Sequence, residues 1–437
     1  MKILQITAGA AGMFCGSCTR DNALARELLS RGHDVTLVPV YTPTSPDEPN
    51  VSRAHVLFGG ISVYLQQHSA LFRKTPRFVD RLWDSPRVIG AFAGRAISTD
   101  ARLLGDLTIS MLQGEDGLLH KEFEKLEAWI RGEPLPDVIT LPNSLLISLA
   151  APLRRIFRRP VLCTLQGEEL FLDALVPPYR EQALALIRSQ IGTVDRFIAI
   201  SEYCAGFMGR YLEIPESRMS VVPLGITLDG YRPAQSAPPV FALGYLARIA
   251  PEKGLHVLAD AYVRFRRRTA AAQARLEVAG TMAASARSYL NGVTTGLARA
   301  GLGDEFAYRG SLDRDGKLAF LRAIQVFSVP ATYDEPKGLS LLESMASGVP
   351  VLQPRRGAFT EIVERTGGGL LVEPDDPDAL ADALYDVWSN GPLRALLGQQ
   401  AFDGVRAHYS IAHAADRLLE VCEATLRTGR SLNESVA

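Results

Sequence analysis

The chain has 437 residues, 47% hydrophobic and 22% charged, with a formal net charge of -1 at pH 7. Such a chain builds about two or three domains with sizeable cores, and its balanced charge argues against nucleic acid as a partner. No apolar run reaches the length of a membrane span, and the N-terminus lacks the charged start, apolar core and cleavage site of a signal peptide, so the expected setting is cytoplasmic.

The five cysteines, Cys15, Cys18, Cys163, Cys204 and Cys422, are few and odd in number, which argues against a disulfide framework. Cys15 and Cys18 form C-x-x-C, but no second such pair or spaced histidine pair completes a metal site. They read as incidental loop cysteines.

KILQIT (2–7) reads as a strand and is followed by a glycine-rich loop (9–18). A helix runs through NALARELLSRG (22–32), with Leu24, Leu28 and Leu29 on one face and Gly32 as its stop. DVTLVPV (34–40) is the next strand, giving a β-α-β opening with a glycine-rich first turn. A dinucleotide site is disfavoured: Gly9, Gly12 and Gly16 do not make G-x-G-x-x-G, and the second strand ends in Val38, Pro39 and Val40 instead of an acidic residue. His33 reads as a helix-end residue. Residues 42–135, with GGISVYLQQ (59–67) and helical stretches near 68–83 and 99–113, read either as substrate-binding surface or as packing around an irregular domain.

PDVITLP (136–142) and PVLCTLQGEEL (160–170) are later strands of the same sheet. Between them LRRIFRR (153–159) carries Arg154, Arg155, Arg158 and Arg159, and reads as a solvated helix face or a weak contact for anionic lipid. DRFIAIS (195–201) and MSVVPLGI (219–226) are further strands. YRPAQSAPPV (231–240), rich in Pro and Ala and without periodicity, is the linker. Domains are thus expected at 1–230 and 241–411.

FALGYLARIAPEKGL (241–255) opens the second domain as strand, turn and helix. Arg248 and Lys253 flank the turn, and two cations there can neutralise a diphosphate. RLEVAG (275–280) and EFAYRG (305–310) are strands ended by Gly280 and Gly310. LAFLRA (318–323) is a short helix leading into the buried strand AIQVFSVP (323–330). ATYDEPKGLSLLESMASGVPVL (331–352) then holds Glu335 on a loop and Glu343 one turn into a helix that begins near Gly338. Amides of Gly338, Leu339 and Ser340 at that helix start suit an anion such as phosphate. Gly348 suits the left-handed position past the helix end, and PVLQ (350–353) is the next strand. Asp376 or Asp378 caps a helix starting near Pro377, and AHAADRLLEVCEATL (412–426) is the last helix.

The string Glu-Pro-x-Gly-Leu from Glu335, followed by Leu-Glu-x-Met-Ala-x-Gly-x-Pro-Val through Glu343, resembles the donor-site motif of retaining, family-4-like glycosyltransferases of GT-B fold. Arg248 with Lys253-Gly254 resembles that family's phosphate segment, and Arg31-Gly32-His33 after the first loop resembles its opening. The likeness spans nearly the whole chain, strongest over 241–388 and weakest over 42–135. Three positions depart from the pattern: Lys337 where an apolar residue is usual, Leu224 where Asn is common, and Gln166 where a His is usual.

The resemblance implies an α/β protein of GT-B class, two Rossmann-like β/α/β domains facing across a cleft, with a final helix at about 412–437 returning to the first. It implies sugar transfer from a nucleotide sugar, a UDP- or GDP-sugar, to an unidentified acceptor with retention, and with no cofactor or metal. Arg248 and Lys253 would stabilise the leaving diphosphate, Glu335 would position the sugar and Glu343 would hold the ribose. Gly338, Leu339 and Ser340 would meet phosphate, and the nucleobase would lie near Gly280 and Gly310. On the acceptor side Gly12 and Gly16 would line the cleft and Gln166 would bond a sugar hydroxyl. Glu168 would be an acceptor-side base or a helix N-terminal carboxylate. An epimerase or phosphorylase-like enzyme of the same fold, or a donor-binding protein without turnover, are the alternatives.

Overall fold

The computed structural model describes residues 1–9, 16–58, 104–235, 240–269 and 273–434. Gly12, Cys15, the stretch 59–67, the helix expected near 68–83 and linker residues 236–239 lie outside them. The chain forms two compact units, Met1–Pro223 with Ala414–Ala437, and Leu224–His413.

The first unit is built on a parallel sheet of β1 (Lys2–Thr7), β2 (Asp34–Pro39), β3 (Val138–Leu141), β4 (Val161–Leu165), β5 (Arg196–Ala199) and β6 (Met219–Val221). Its strand order is β2-β1-β3-β4-β5-β6. Every residue of β3 and β4 is buried, as continuous apolar runs in a parallel sheet covered on both faces must be. Helix α1 (Gly16–Ser30) buries Leu24 and Leu28, while Leu29 is 38% exposed. The expected three-leucine face is therefore a pair: residues four apart stack on a helix, and the next residue turns about 100° away. Gly32, at φ +82, ends the helix as expected, and Cys18 is buried within it.

Helix α2 (Ala150–Phe157) carries the basic stretch. Arg154 pairs with Asp195 at 2.8 Å, Arg155 pairs with Glu115 and Glu127, and Arg159 donates to the Pro136 carbonyl at 3.0 Å. Three of the four arginines are thus engaged by neighbouring elements, and the stretch is an ion-pair network. Among the described residues no helix is long and apolar enough to cross a membrane. The short helix α3 (Glu169–Asp173) follows β4.

The second unit repeats the architecture with β7 (Phe241–Leu246), β8 (Ala274–Ala279), β9 (Phe306–Tyr308), β10 (Val326–Phe327), β11 (Val351–Pro354) and β12 (Gly369–Val372), in the order β12-β11-β10-β7-β8-β9. The order reverses between β7 and β10, which pair in parallel. Connections leaving these two strands run to opposite faces, so a crevice opens beyond their carboxyl ends. Strand β10 is shorter than the sequence suggests. Gln325 and Ser328 amides still bond to Ala242 and Gly244, but Pro330 has no N–H to continue the ladder.

Helices α4 (Leu255–Arg268), α5 (Arg314–Ala323), α6 (Leu339–Ala346), α7 (Gly357–Thr366) and α8 (Pro377–Ser389) clothe this sheet. Asp376 caps α8, accepting from the amides of Asp378 and Ala379 at 2.8 and 3.0 Å. Past α6, Gly348 takes the left-handed conformation at φ +71. The last helix, α9 (Ile411–Glu434), begins against Ile226 and from Ala414 onward belongs to the first unit, where Asp416 pairs with Arg31 and Cys422 is buried.

Arg266 at the end of α4 grips Glu305 ahead of β9 with two bonds of 2.7 and 2.9 Å, and the Tyr262 hydroxyl donates to the same carboxylate. Burial raises the Glu305 pKa, but the bonds from Arg266 and Tyr262 outweigh it and hold the carboxyl below its ordinary range. Arg266 is 7% exposed and also donates to the carbonyl and hydroxyl of Thr269, itself 4% exposed, so losing it strands buried acceptors as well as the Glu305 carboxylate. Arg266→Ala should lower the stability of this unit by about 2–3 kcal/mol, with Arg266→Lys intermediate, as measured by urea unfolding of the full chain.

Candidate active site at the strand-order reversal of the second unit

The loops after β7 and β10 meet closely. A Cβ at Gly254, at φ +72, would lie 1.8 Å from the Pro330 carbonyl oxygen, so only glycine allows the approach. The amide of Thr332 donates to the Glu252 carbonyl at 3.0 Å. A short 3-10 turn, Pro251–Lys253, then aims Lys253 at the β10 loop.

There the Lys253 ammonium pairs with Glu335 Oε2 and donates to the Tyr333 hydroxyl at 2.6 Å. It also stands 4.8 Å from the centre of the Tyr333 ring, an attraction that needs only the ring face. The Tyr333 hydroxyl donates to the same Oε2, and the Lys337 amide donates to Oε1 at 3.2 Å. Glu335 is 7% exposed. Burial raises its pKa; the charge of Lys253, the bonds from Lys253 and Tyr333, and the charge of Lys337 overcome that and hold the carboxyl below the usual range. Its backbone is clamped as well: Ala358 donates to its carbonyl at 2.8 Å, and a Cβ at Gly357 would lie 2.4 Å from that oxygen.

Gly338, at φ +83, is the left-handed residue from which α6 starts, and no side chain caps the helix. Leu341 and Leu342 donate back to the Gly338 carbonyl. The amides of Gly338, Leu339 and Ser340 head a helix N-terminus, which favours an anion. Lys253 and Glu335, expected on two loops far apart in the sequence, are brought into contact by the fold.

Other expected residues lie elsewhere. Arg248 pairs with Glu252, its side chain 56% exposed, and does not join the Lys253 cluster. Glu343 on α6 is held by a cation of its own: Lys317 of α5 donates to Oε1 at 2.6 Å and the Tyr231 hydroxyl to the same atom at 3.0 Å. The Lys317 side chain is 8% exposed. Gly280, at φ +145, presses on the β7 loop, where a Cβ would lie 1.8 Å from the Ala247 oxygen; its amide donates to Gly310, whose own Cβ position faces open space.

Tyr333 and Lys317 escaped the sequence reading. Lys317 had a signal. Asp313 accepts from the Gly316 amide at 2.8 Å as the cap of α5, so the helix starts a turn earlier than LAFLRA, and Lys317 stacks with buried Leu321 four residues on. The chain's two Asp-x-Asp strings, Asp313–Asp315 and Asp376–Asp378 in numbers 313–315 and 376–378, are both helix starts led by a capping Asp.

In the first unit, Gly16 opens α1. Gln166 is 4% exposed and donates through Nε2 to the Pro142 carbonyl at 2.6 Å, while its buried Oε1 has no partner among the described residues. Glu168 stands at the N-cap position of α3, a carboxylate at a helix N-terminus, but its side chain makes no capping bond. Its Oε1 accepts from the Ser144 amide and hydroxyl at 2.8 and 3.2 Å, and its Oε2 from the Gln166 amide at 2.7 Å. Both oxygens are committed to tying the loops after β3 and β4. Asp21, 1% exposed, was also missed; it accepts from Thr7 and pairs with Arg20.

Two family models match this architecture in turn. Residues 235–403 match the glycosyl transferases group 1 model, and residues 16–225 match the glycosyl transferase 4-like domain. The chain belongs to the group 1 glycosyl transferases.

The group 1 match contains Lys253, Glu335, Gly338 and Glu343. Among curated relatives, the D-inositol 3-phosphate glycosyltransferase of Streptomyces scabiei is 30% identical over 48% of this chain and 50% of its own length. The phosphatidyl-myo-inositol mannosyltransferase of Mycobacterium leprae is 32% identical over 30% of this chain and 34% of its own. The chain thus spans about half, or less, of the curated relatives it matches. Sucrose-phosphate synthase from Thermosynechococcus elongatus superposes with a TM-score of 0.71 at 18% identity, covering 98% of this chain and 99% of that one. Anabaena HepE in complex with UDP-glucose gives 0.63 at 17% identity, covering 97% and 100%. At these identities the likeness speaks for the fold, which is α/β of GT-B class.

The depressed Glu335 pKa has a consequence for stability. The contribution of a carboxylate held low is fully present above its unfolded value, about 4.3, and is lost as pH falls through the lower folded value. Glu335→Gln should therefore destabilise by about 2 kcal/mol near neutral pH and converge on wild type in acid. Urea unfolding of both proteins at neutral pH and at about pH 3 checks this.

Proposed function

We propose that the protein transfers a glycosyl group from a nucleotide sugar to an acceptor hydroxyl, with retention and without a metal ion. The observation that carries this reading is the convergence of Lys253, Glu335 and the uncapped start of α6 at the strand-order reversal. A diphosphate needs the cation and the amides; a sugar needs a fixed carboxylate to orient its hydroxyls. HepE, which shares the fold, binds UDP and UDP-glucose, which supports a nucleotide sugar as donor. The names of the curated relatives support a polyol acceptor, phosphorylated or lipid-linked.

In this mechanism the bond from the anomeric carbon to the diphosphate breaks while the acceptor oxygen bonds to the same face. The acceptor proton passes to a diphosphate oxygen. Lys253, Arg248 and the amides of Gly338, Leu339 and Ser340 stabilise the charge that grows on the leaving group. Reaching it requires Arg248 to leave Glu252. Glu335 orients the sugar, Glu343 takes the ribose, and the base lies against Gly280 and Gly310. The unpartnered Oε1 of Gln166 accepts from a sugar hydroxyl in place of the usual histidine.

A donor-binding protein without turnover is the second reading, favoured by that missing histidine. Thermal shifts with UDP-, GDP- and ADP-sugars identify a bound donor, since a ligand of the native state raises its apparent stability. Steady-state kinetics then separate the readings. Lys253→Ala should lower turnover by roughly a hundredfold to a thousandfold, and Glu335→Gln should lower it by misplacing the sugar. Glu343→Gln, which keeps a partner for buried Lys317, should raise the donor KM with kcat little changed. Wild-type turnover in folded Lys253→Ala and Glu335→Gln would sink the mechanism. Binding with no transfer by wild type would favour the second reading.

A further inference from the structure

Glu335 and Lys253 neutralise one another in the unliganded site, yet the proposed reaction asks Lys253 to serve a diphosphate. Lys253 has a flexible stem and three rotatable donors, so it can swing. Glu335 is held in place: Ala358 and Gly357 clamp its backbone, and the Tyr333 hydroxyl and Lys337 amide bond its carboxylate. A buried carboxylate deprived of its cation is strongly penalised unless other donors hold it.

We propose that Tyr333 is a positioning residue of the donor site: its hydroxyl keeps Glu335 Oε2 partnered and aimed while Lys253 turns to the diphosphate. The inference rests on the reading that Lys253 meets a nucleoside diphosphate. Tyr333 is the group that touches both partners. Its hydroxyl accepts from Lys253 at 2.6 Å and donates to the same Oε2 that Lys253 engages. Its ring centre lies 4.8 Å from the ammonium. Its own position is secured by the preceding residue, since the Thr332 amide is tied to the Glu252 carbonyl beside Lys253. Oε1 is held separately by the Lys337 amide. With both oxygens still bonded, the carboxylate stays oriented when the lysine departs. The groups facing it are Lys253 from the β7 loop, Tyr333 and Lys337 from the β10 loop, and the backbone of Gly357 and Ala358 from α7.

The test is Tyr333→Phe, which keeps the ring and removes only the hydroxyl. UDP and GDP binding is measured by calorimetry, turnover by steady-state kinetics, and the Glu335 carboxyl titration by carbon NMR, with and without saturating nucleotide. The expected result is nucleotide binding and kcat/KM each reduced roughly tenfold to a hundredfold, the range for one hydrogen bond to a charged group. The variant's Glu335 should titrate at higher pH than wild type, most of all with nucleotide bound. In Lys253→Ala the carboxylate is without its cation throughout, so adding Tyr333→Phe should raise the Glu335 titration at least as far as it does in wild type, with or without nucleotide. A folded variant equal to wild type in binding, turnover and titration overturns the proposal. Should the variant misfold, wild type decides: its Glu335 must still titrate below the ordinary range when nucleotide is bound, and a rise to that range overturns the hand-over. If neither UDP nor GDP binds wild type, the functional reading fails and this inference with it; if one binds and Tyr333 is silent, only the role of Tyr333 fails.

Discussion

A carboxylate at Glu335, buried at the carboxyl end of the second sheet, has to be kept charged, and much of the surrounding structure follows from that. Its solution is a lysine from one loop and a tyrosine from its own, both on one oxygen, with a backbone amide on the other. For Lys253 to reach it, the β7 and β10 loops must approach at backbone distance, which requires the missing Cβ of Gly254. For Glu335 to stay put, its carbonyl must accept from α7, which requires Gly357. The sheet contributes by pairing β7 with β10, strands far apart in sequence, so that their loops share one crevice.

The second unit meets the same demand twice more. Glu343 is paired with Lys317 and Tyr231, and Glu305 with Arg266 and Tyr262. In each case a cation and a phenol share one acidic group. A buried pair of this kind contributes little net stability compared with well-packed apolar residues, though breaking it is costly. The two placed along α6 and its preceding loop differ from the third in chemistry: a lysine can rotate away from its carboxylate, whereas the arginine fork at Glu305 binds two oxygens at once and serves as a fastener.

In the first unit the buried carboxylate of Glu168 is held differently from these three. Glu168 accepts from amides and a hydroxyl with no cation among the bonded groups, and so rigidifies the loops after β3 and β4. Beside it the Gln166 Oε1 is a buried acceptor with no donor among the described residues, a cost a folded protein rarely accepts without use. Glutamine in place of histidine there removes a group that titrates near neutral pH and leaves one that does not.

The sequence by itself determined the alternation of strands and helices, because apolar runs of parallel strands, the stop signals of Gly32 and Gly348 and the start signal of Asp376-Pro377 are local properties. It also marked Glu335, Gly338 and Glu343 as candidates, because the string that holds them is compact and its glycine takes a left-handed turn; Lys253 was marked in a separate segment. Tertiary structure alone decided which charges meet. Arg248 and Lys253 lie five residues apart, yet one pairs outward with Glu252 and the other reaches across 82 positions to Glu335. Leu29 faces outward although its neighbour Leu28 is buried, and Glu168 binds a loop instead of its own helix. A side chain's partner depends on what non-local strand pairing brings beside it, and that pairing leaves no mark in the residues on either side.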